Sequence, residues 1–387
     1  MKYSFKQVFY VTIILVITFA AYFPSLKAGF TNWDDDAHVV SNPDIRQLDA
    51  EHVERIFNSR IARTYIPLTL LSYSLEYHFF KLNPFVYHLN NVLLHLCVIA
   101  LVFFVAQRFG LNQVASAWGA LIFGIHPMHV ESVAWVSERK DVLCAVFYLL
   151  ALLSYWKYLD QRKLKWWWWT FSLILGFLSM LAKPMAYSLP LVLFLIDWWH
   201  RRRFSLNMLV DKIPHVGYVL ALSWMTLSSN KINLTFNFFE VILIWCWSFL
   251  FFPFKLLIPS FYMAIYKLPE PVGFSNSAYA ISFVTFLLVI GSLIYFHRQR
   301  FYILAWLFYG LTISMIVVRG VWDFGNNTVV ADRFMYLPSL GFCILFGVFV
   351  NYFQNRLKQN RVQKMAFYTG LLIVLIFLWV KTYQQCF

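Results

Sequence analysis

The sequence predicts an all-α polytopic membrane protein, and three observations carry that reading. Of 387 residues, 60% are hydrophobic and 20% aromatic. Only 13% are charged, about half the share of a soluble domain. Mean hydropathy is +0.62, and apolar stretches recur from residue 8 to residue 380, so lipid is the solvent for most of the chain. The formal net charge of +14 fits basic loops held on the cytoplasmic side better than nucleic acid, and no nucleic-acid partner is expected. Four of the five cysteines lie in apolar runs and Cys386 lies in the tail; no CxxC spacing occurs.

The first stretch, Val8 to Leu26, is long enough to span and lacks a small-residue cleavage pattern, which predicts a retained helix. Basic clusters then orient the chain. They are Lys2 and Lys6, Arg108, Arg162 to Lys165, Arg201 to Arg203 with Lys212, "HRQR" ending at Arg300, and Arg356 to Lys364. If all are cytoplasmic, the N-terminus is inside and the loop over residues 27–85 is outside, where eight acidic residues outnumber six basic ones. Three apolar runs lie between "RRR" and "HRQR", although an even number of crossings is needed there. The middle run, 238–258, is expected not to cross, because Pro253, Lys255 and Pro259 break it. The expectation is about eleven crossings, with the C-terminus outside. "WWWW" at 166–169 follows a basic loop and reads as a headgroup-level anchor.

Four outer segments hold the polar chemistry. The first loop contains "FTNWDDDAHVV", a helix-like stretch from Asp49 to Ser59, and "RTYIPLTLLSYSLEYHFF", whose mixed aromatics and sparse charge suit interfacial helices. The others are "HPMHVESVAWVSERKD" at 126–141, "AKPMAYSLP" at 182–190 and the segment 319–339. Ionisable groups such as Asp34, Asp35, His126, His129, Glu131, Arg139, Lys140, Lys183, Asp332 and Arg333 are expensive near hydrocarbon and point to a functional cavity. A carboxylate beside several cations suits transfer from a lipid-linked phosphosugar. The cations neutralise the leaving phosphate, and the carboxylate takes the acceptor's proton. Without an enzyme-bound sugar, the anomeric centre inverts. No metal site is expected: "HPMHVE" is not HExxH and Pro127 interrupts its register. No cofactor is expected, with a divalent cation on Asp34 or Asp35 as the alternative.

The order and spacing of "NWDDDAHVVSNP", "RTYIPLT", "NPFVYHLNNVLLH", "HPMHVESVAWVSERKDVL" and "ADRFMYLPSLGF" over residues 20–345 resemble the membrane half of the transmembrane-and-tetratricopeptide-repeat (TMTC) O-mannosyltransferases and their bacterial relatives, within the GT-C class. The resemblance implies one GT-C-like membrane domain over residues 1–387 without the repeat domain. It implies an inverting, polyprenyl-phosphate-sugar-dependent glycosyltransferase that moves mannose or another hexose to a protein Ser/Thr hydroxyl or a glycan. Asp34 and Asp35 become the catalytic pair, with Asp34 as base. Contacts to donor phosphate and substrate fall on Arg63, His126, His129, Glu131, Arg139, Lys183, Arg333 and Tyr336. Two departures stand out. Lys183 is followed by Pro184 where relatives show "KE", and Glu138 stands where a small residue usually precedes the "R-[AK]-D" element. The expected location is a bacterial plasma membrane with the site facing outside, or the endoplasmic reticulum in a eukaryote. A transporter of lipid-linked sugars without transferase chemistry is the alternative, disfavoured because the ionisable groups sit in outer loops rather than at mid-membrane.

Overall fold

The computed structural model describes residues 5–61, 64–161, 163–227, 236–259, 262–323, 330–357 and 360–387, apart from the side chains of 226–227 and 315–323. The chain starts with α1 (Phe5–Tyr22), and the following loop carries α2 (Ala50–Asn58) and α3 (Pro67–Phe80). Then come α4 (Pro84–Arg108), α5 (Gln113–Ile125), the short α6 (Val130–Ala134), α7 (Arg139–Asp160), α8 (Lys165–Ala182) and α9 (Leu189–Trp199). The second half holds α10 (Leu206–Val210), α11 (Ile213–Leu227), α12 (Phe238–Leu257), α13 (Ser277–Tyr295), α14 (Arg300–Asp323), α15 (Leu340–Arg356) and α16 (Arg361–Gln385).

Six described helices are long and apolar enough to cross a membrane: Phe5–Lys27, Pro84–Arg108, Val136–Asp160, Phe238–Leu257, Ser277–Tyr295 and Arg361–Gln385. The protein is an integral membrane protein of all-α architecture. Its main apolar core joins α1, α4, α5, α7, α8 and α9 around residues such as Phe103, Phe123 and Trp156. Small residues bring α15 against its neighbours. A Cβ on Gly341 would stand 2.6 Å from the Ala305 carbonyl oxygen, and one on Gly119 2.7 Å from that of Cys343, so these backbones touch as closely as glycine permits.

One expectation is corrected. Pro253 does not break the 238–258 run: Phe238–Leu257 is a single helix with Pro253 inside it. Proline at 253 leaves the carbonyl four residues earlier without its amide partner. The Tyr309 hydroxyl on α14 donates to that Phe249 carbonyl, which restores the missing bond from a neighbouring helix. Both ends of α12 stand beside the segment 262–276, through Phe239 against Phe274 and Phe251 against Tyr266.

The interfacial elements form as the sequence suggests. Asp49 caps α2 by accepting from the His52 amide at 2.8 Å, the usual way an N-cap satisfies an unpaired donor. Helix α3 lies over the bundle end, where Thr69 Oγ1 donates to the Ala182 carbonyl (3.0 Å) and the Tyr73 hydroxyl to that of Val136 (2.8 Å). These contacts bring the first loop onto the segments after α5 and α8.

Candidate active site

The aspartate triplet divides its labour. Asp35 is fully buried. Its Oδ2 accepts from the Thr31 amide (2.9 Å) and hydroxyl (3.0 Å), and its Oδ1 from the Ser137 amide (2.7 Å). The carboxylate thus ties the loop after α1 to the 126–141 segment. Trp135 adds to the tie by donating to Thr31 Oγ1 at 2.9 Å. Asp36 is exposed and accepts from the Ser41 hydroxyl at 2.7 Å. Asp34 is half-buried, and among the described residues no hydrogen bond or ion pair reaches its carboxylate.

The backbone explains the difference. Residues Asp36–Val40 form a wide π-helical turn, a conformation often found at functional sites. His38 Nδ1 lies 2.7 Å from the Asp34 carbonyl oxygen. Burial, then the charge of Lys140, pushes the His38 imidazole below its ordinary value, while Asp34 and Glu138 act in the opposite direction. His38 is therefore within electrostatic reach of Asp34, Lys140 and Glu138.

That cluster is centred on Glu138, which is fully buried. Its Oε1 receives Lys140 Nζ (2.8 Å) and Arg333 Nε (3.4 Å), and its Oε2 receives Lys183 Nζ (3.5 Å). Lys183 also pairs with Asp141, and Arg333 with Glu131. Three cations thus face three carboxylates. Glu138 and Asp141 are three residues apart, so they share a helix face and share Lys183 between them. Burial, only partly offset by Arg333, raises the Glu131 carboxyl to about 7. Asp332 is raised to about 6 by burial, against the Tyr266 hydroxyl that donates to it at 2.7 Å. Four segments, around residues 35, 131–141, 183 and 332–333, converge on one buried polar centre.

Other expected site residues are placed elsewhere. Arg139 is 1% exposed. It pairs with Glu76 at 2.5 Å, donates to Asn91 Oδ1 (2.7 Å) and the Tyr87 carbonyl (2.8 Å), and lies over the Tyr73 ring. One residue further round the helix than Glu138, it points away from the cluster and staples the first loop to α4. His126 Nε2 donates to the Leu256 carbonyl (2.9 Å), and its Nδ1 accepts from the Met128 amide (3.2 Å). His129 has Nδ1 2.7 Å from the Phe123 carbonyl oxygen and Nε2 2.9 Å from Ser339 Oγ. Burial lowers His126 to about 4 and His129 well below its ordinary value, so both are neutral and join helix ends. Tyr336 is buried with its hydroxyl 2.7 Å from His95 Nδ1. Arg63 lies outside the described residues. No group of three or more His, Cys, Asp or Glu among the described residues is arranged to hold a metal ion.

Sequence reasoning did not place Glu138 in the site, nor Glu76 beside Arg139. The signal for Glu138 was the run "ERKD", four consecutive charges entering an apolar helix. Glu76 sits in a mixed aromatic stretch, and nothing local marks it as the partner of Arg139.

Known proteins are similar to this chain in sequence or in fold. The chain is 34% identical over 164 residues to mouse protein O-mannosyl-transferase TMTC3, covering 40% of this chain and 17% of that protein. It is 32% identical over 190 residues to Drosophila melanogaster protein O-mannosyl-transferase Tmtc1, covering 47% of this chain and 22% of the relative. The chain thus spans about a fifth of the length of these curated relatives. No family model matches it. Among solved structures, the oligosaccharyltransferase of Archaeoglobus fulgidus tethered to an acceptor peptide superposes with a TM-score of 0.52 at 12% identity, over 99% of this chain and 55% of that one. The fold is that of the GT-C membrane glycosyltransferases, and the sequence resembles the TMTC O-mannosyl-transferases.

Proposed function

We propose that the protein is an inverting glycosyltransferase. It moves a hexose, mannose by resemblance, from a polyprenyl-phosphate carrier to a protein Ser/Thr hydroxyl on the extracytoplasmic side of its membrane. The observation that carries this reading is the Asp34 carboxylate, free of hydrogen bonds and ion pairs among the described residues, on the loop that Asp35 ties to the segment bearing Glu138 and its cluster of Lys140, Lys183 and Arg333. The curated relatives are protein O-mannosyl-transferases, which supports the sugar and the acceptor class.

In this reading Asp34 takes the proton of the acceptor hydroxyl as its oxygen attacks the anomeric carbon. The bond from that carbon to the phosphate oxygen breaks, and its electron pair stays on the phosphate. Arg333 and Lys183 meet the developing charge. One attack with no enzyme-bound sugar inverts the anomeric centre. Asp35 holds the loop that carries Asp34, and Glu138 keeps the cations ordered while the site is empty.

The test is sugar transfer by the reconstituted full chain from polyprenyl-phosphate mannose to a Ser/Thr-rich peptide, read by mass spectrometry. Asp34→Asn is expected to lose about 10²- to 10⁴-fold in rate with unchanged insertion and thermal stability. Full activity in that variant would remove the base assignment. Movement of the intact donor across vesicles without peptide modification would favour the transporter.

A further inference from the structure

At the end of α9 opposite Lys183, a cleft of about 480 Å³ is lined by Trp198, Arg201, Arg202, His297, Arg298 and Arg300. Two loops distant in sequence build it, the turn after α9 and the turn between α13 and α14. Among the described residues no carboxylate lines it.

The arginines differ in what already holds them. Arg202 is claimed by Asp211 (2.7 Å) and Asp197 (3.3 Å), which also bind Lys212 in a closed network under the cleft. Arg300 lies over the Trp199 ring at 4.5 Å and the Trp198 ring at 5.2 Å, and it donates to the Trp198 and Trp199 carbonyls. That fixes its position and neutralises none of its charge. Arg201 and Arg298 have no ion-pair partner among the described residues. Arg201 is close enough to Arg300 to act against its charge.

A surplus of basic residues on a cytoplasmic loop is ordinary, and solvent alone disperses it. Two features go further. The cations of two loops line one open cleft, with Arg201 and Arg298 exposed at its surface. Arg201 also holds a left-handed backbone, φ +54°, a conformation that costs a non-glycine residue about 1 kcal/mol or more. Guanidinium groups gathered without a counter-ion suit the oxygens of a phosphate. The flanking tryptophans suit the headgroup level of a bilayer.

We infer that this cleft is a binding site for the phosphate headgroup of an anionic phospholipid in the leaflet opposite the candidate active site. Arg201, Arg298 and Arg300 grip the phosphate, and Trp198 borders the glycerol and upper acyl region. The site is separate from the glycosyl-transfer centre and does not depend on its chemistry.

The test uses the full chain in nanodiscs of phosphatidylcholine containing phosphatidylglycerol, with retained lipids counted by native mass spectrometry. Wild type is expected to retain phosphatidylglycerol over phosphatidylcholine. Arg201→Gly and Arg298→Gln are each expected to reduce that preference about fivefold. Arg201→Gly also guards against misfolding, because glycine accepts the left-handed backbone without strain, so its thermal stability should match or exceed wild type. Equal retention of the two lipids by wild type, or undiminished preference in both variants, would overturn the site. Binding of inorganic phosphate by wild type with no preference for phosphatidylglycerol would overturn the lipid assignment.

Discussion

Glu138, one of the two positions at which this chain departs from the motif pattern it resembles, meets Lys183, the residue before the other, at 3.5 Å. The carboxylate missing after Lys183, where Pro184 stands, is supplied by the neighbouring loop. One departure compensates the other, and Lys183 keeps an acidic partner. Because Glu138 also receives Lys140 and Arg333, its removal leaves buried cations facing one another. Glu138→Gln is expected to lower stability by about 3–5 kcal/mol. Adding Lys183→Gln should return roughly 0.5–3 kcal/mol of that loss, measured as a double-mutant cycle of thermal unfolding in detergent. Additive effects would mean that the two residues do not interact.

Asp35 offers a different kind of test. Its carboxylate joins two loops through three hydrogen bonds and touches no solvent. Asp35→Asn keeps the acceptor oxygen on one side and sets an amide against a backbone N–H on the other. Asp35→Asn is expected to destabilise by about 1–3 kcal/mol. The remaining activity should track the folded fraction. Proteolysis of the 27–85 loop at rising temperature would read this directly. A fully stable but inactive Asp35→Asn would instead make Asp35 a participant in the chemistry.

Arg139 and Arg333 should separate cleanly in kinetics. Arg139→Gln abandons Glu76 in a buried site and is expected to cost about 3–5 kcal/mol in stability. The donor KM of the surviving enzyme should not move. Arg333→Gln removes a cation from the candidate phosphate position, where a charge-assisted hydrogen bond is worth about 1.5–3 kcal/mol. Its donor KM should rise by about 10- to 100-fold. A raised donor KM in Arg139→Gln would return that arginine to the substrate.

The architecture was largely legible because it rests on local chemistry. Long apolar runs, basic turns and the Asp49 cap each announce themselves within a few residues. The charged segments that would meet were also legible, since charge near hydrocarbon has few tolerable destinations. What stayed hidden were pairings across the chain. Tyr309 rescuing the carbonyl freed by Pro253, and Glu76 closing on Arg139, join residues more than fifty positions apart. The histidines read two ways in the sequence for a related reason. A neutral histidine bridging two helix ends and one facing a phosphate use the same residue, and only the fold distinguishes them.

Glu131 gives the protein a pH dependence whose sign can be worked out. Its carboxyl sits at about 7, raised by burial from an ordinary value of 4.5. Between those two values the folded protein holds a proton that the unfolded chain has released, so this group's contribution to stability falls as pH rises across the window. The same proton matters for donor binding. Ionised Glu131 occupies Arg333, whereas the protonated form releases that guanidinium toward an anionic phosphate. Donor binding should therefore draw a proton onto Glu131, and the donor KM should climb as pH passes about 7, toward a slope of tenfold per pH unit. Glu131→Gln mimics the protonated form and should show a lower donor KM above that pH, with a flattened profile. If the variant kept the wild-type slope, the titrating group would lie elsewhere, with Asp332, raised to about 6, the next to replace.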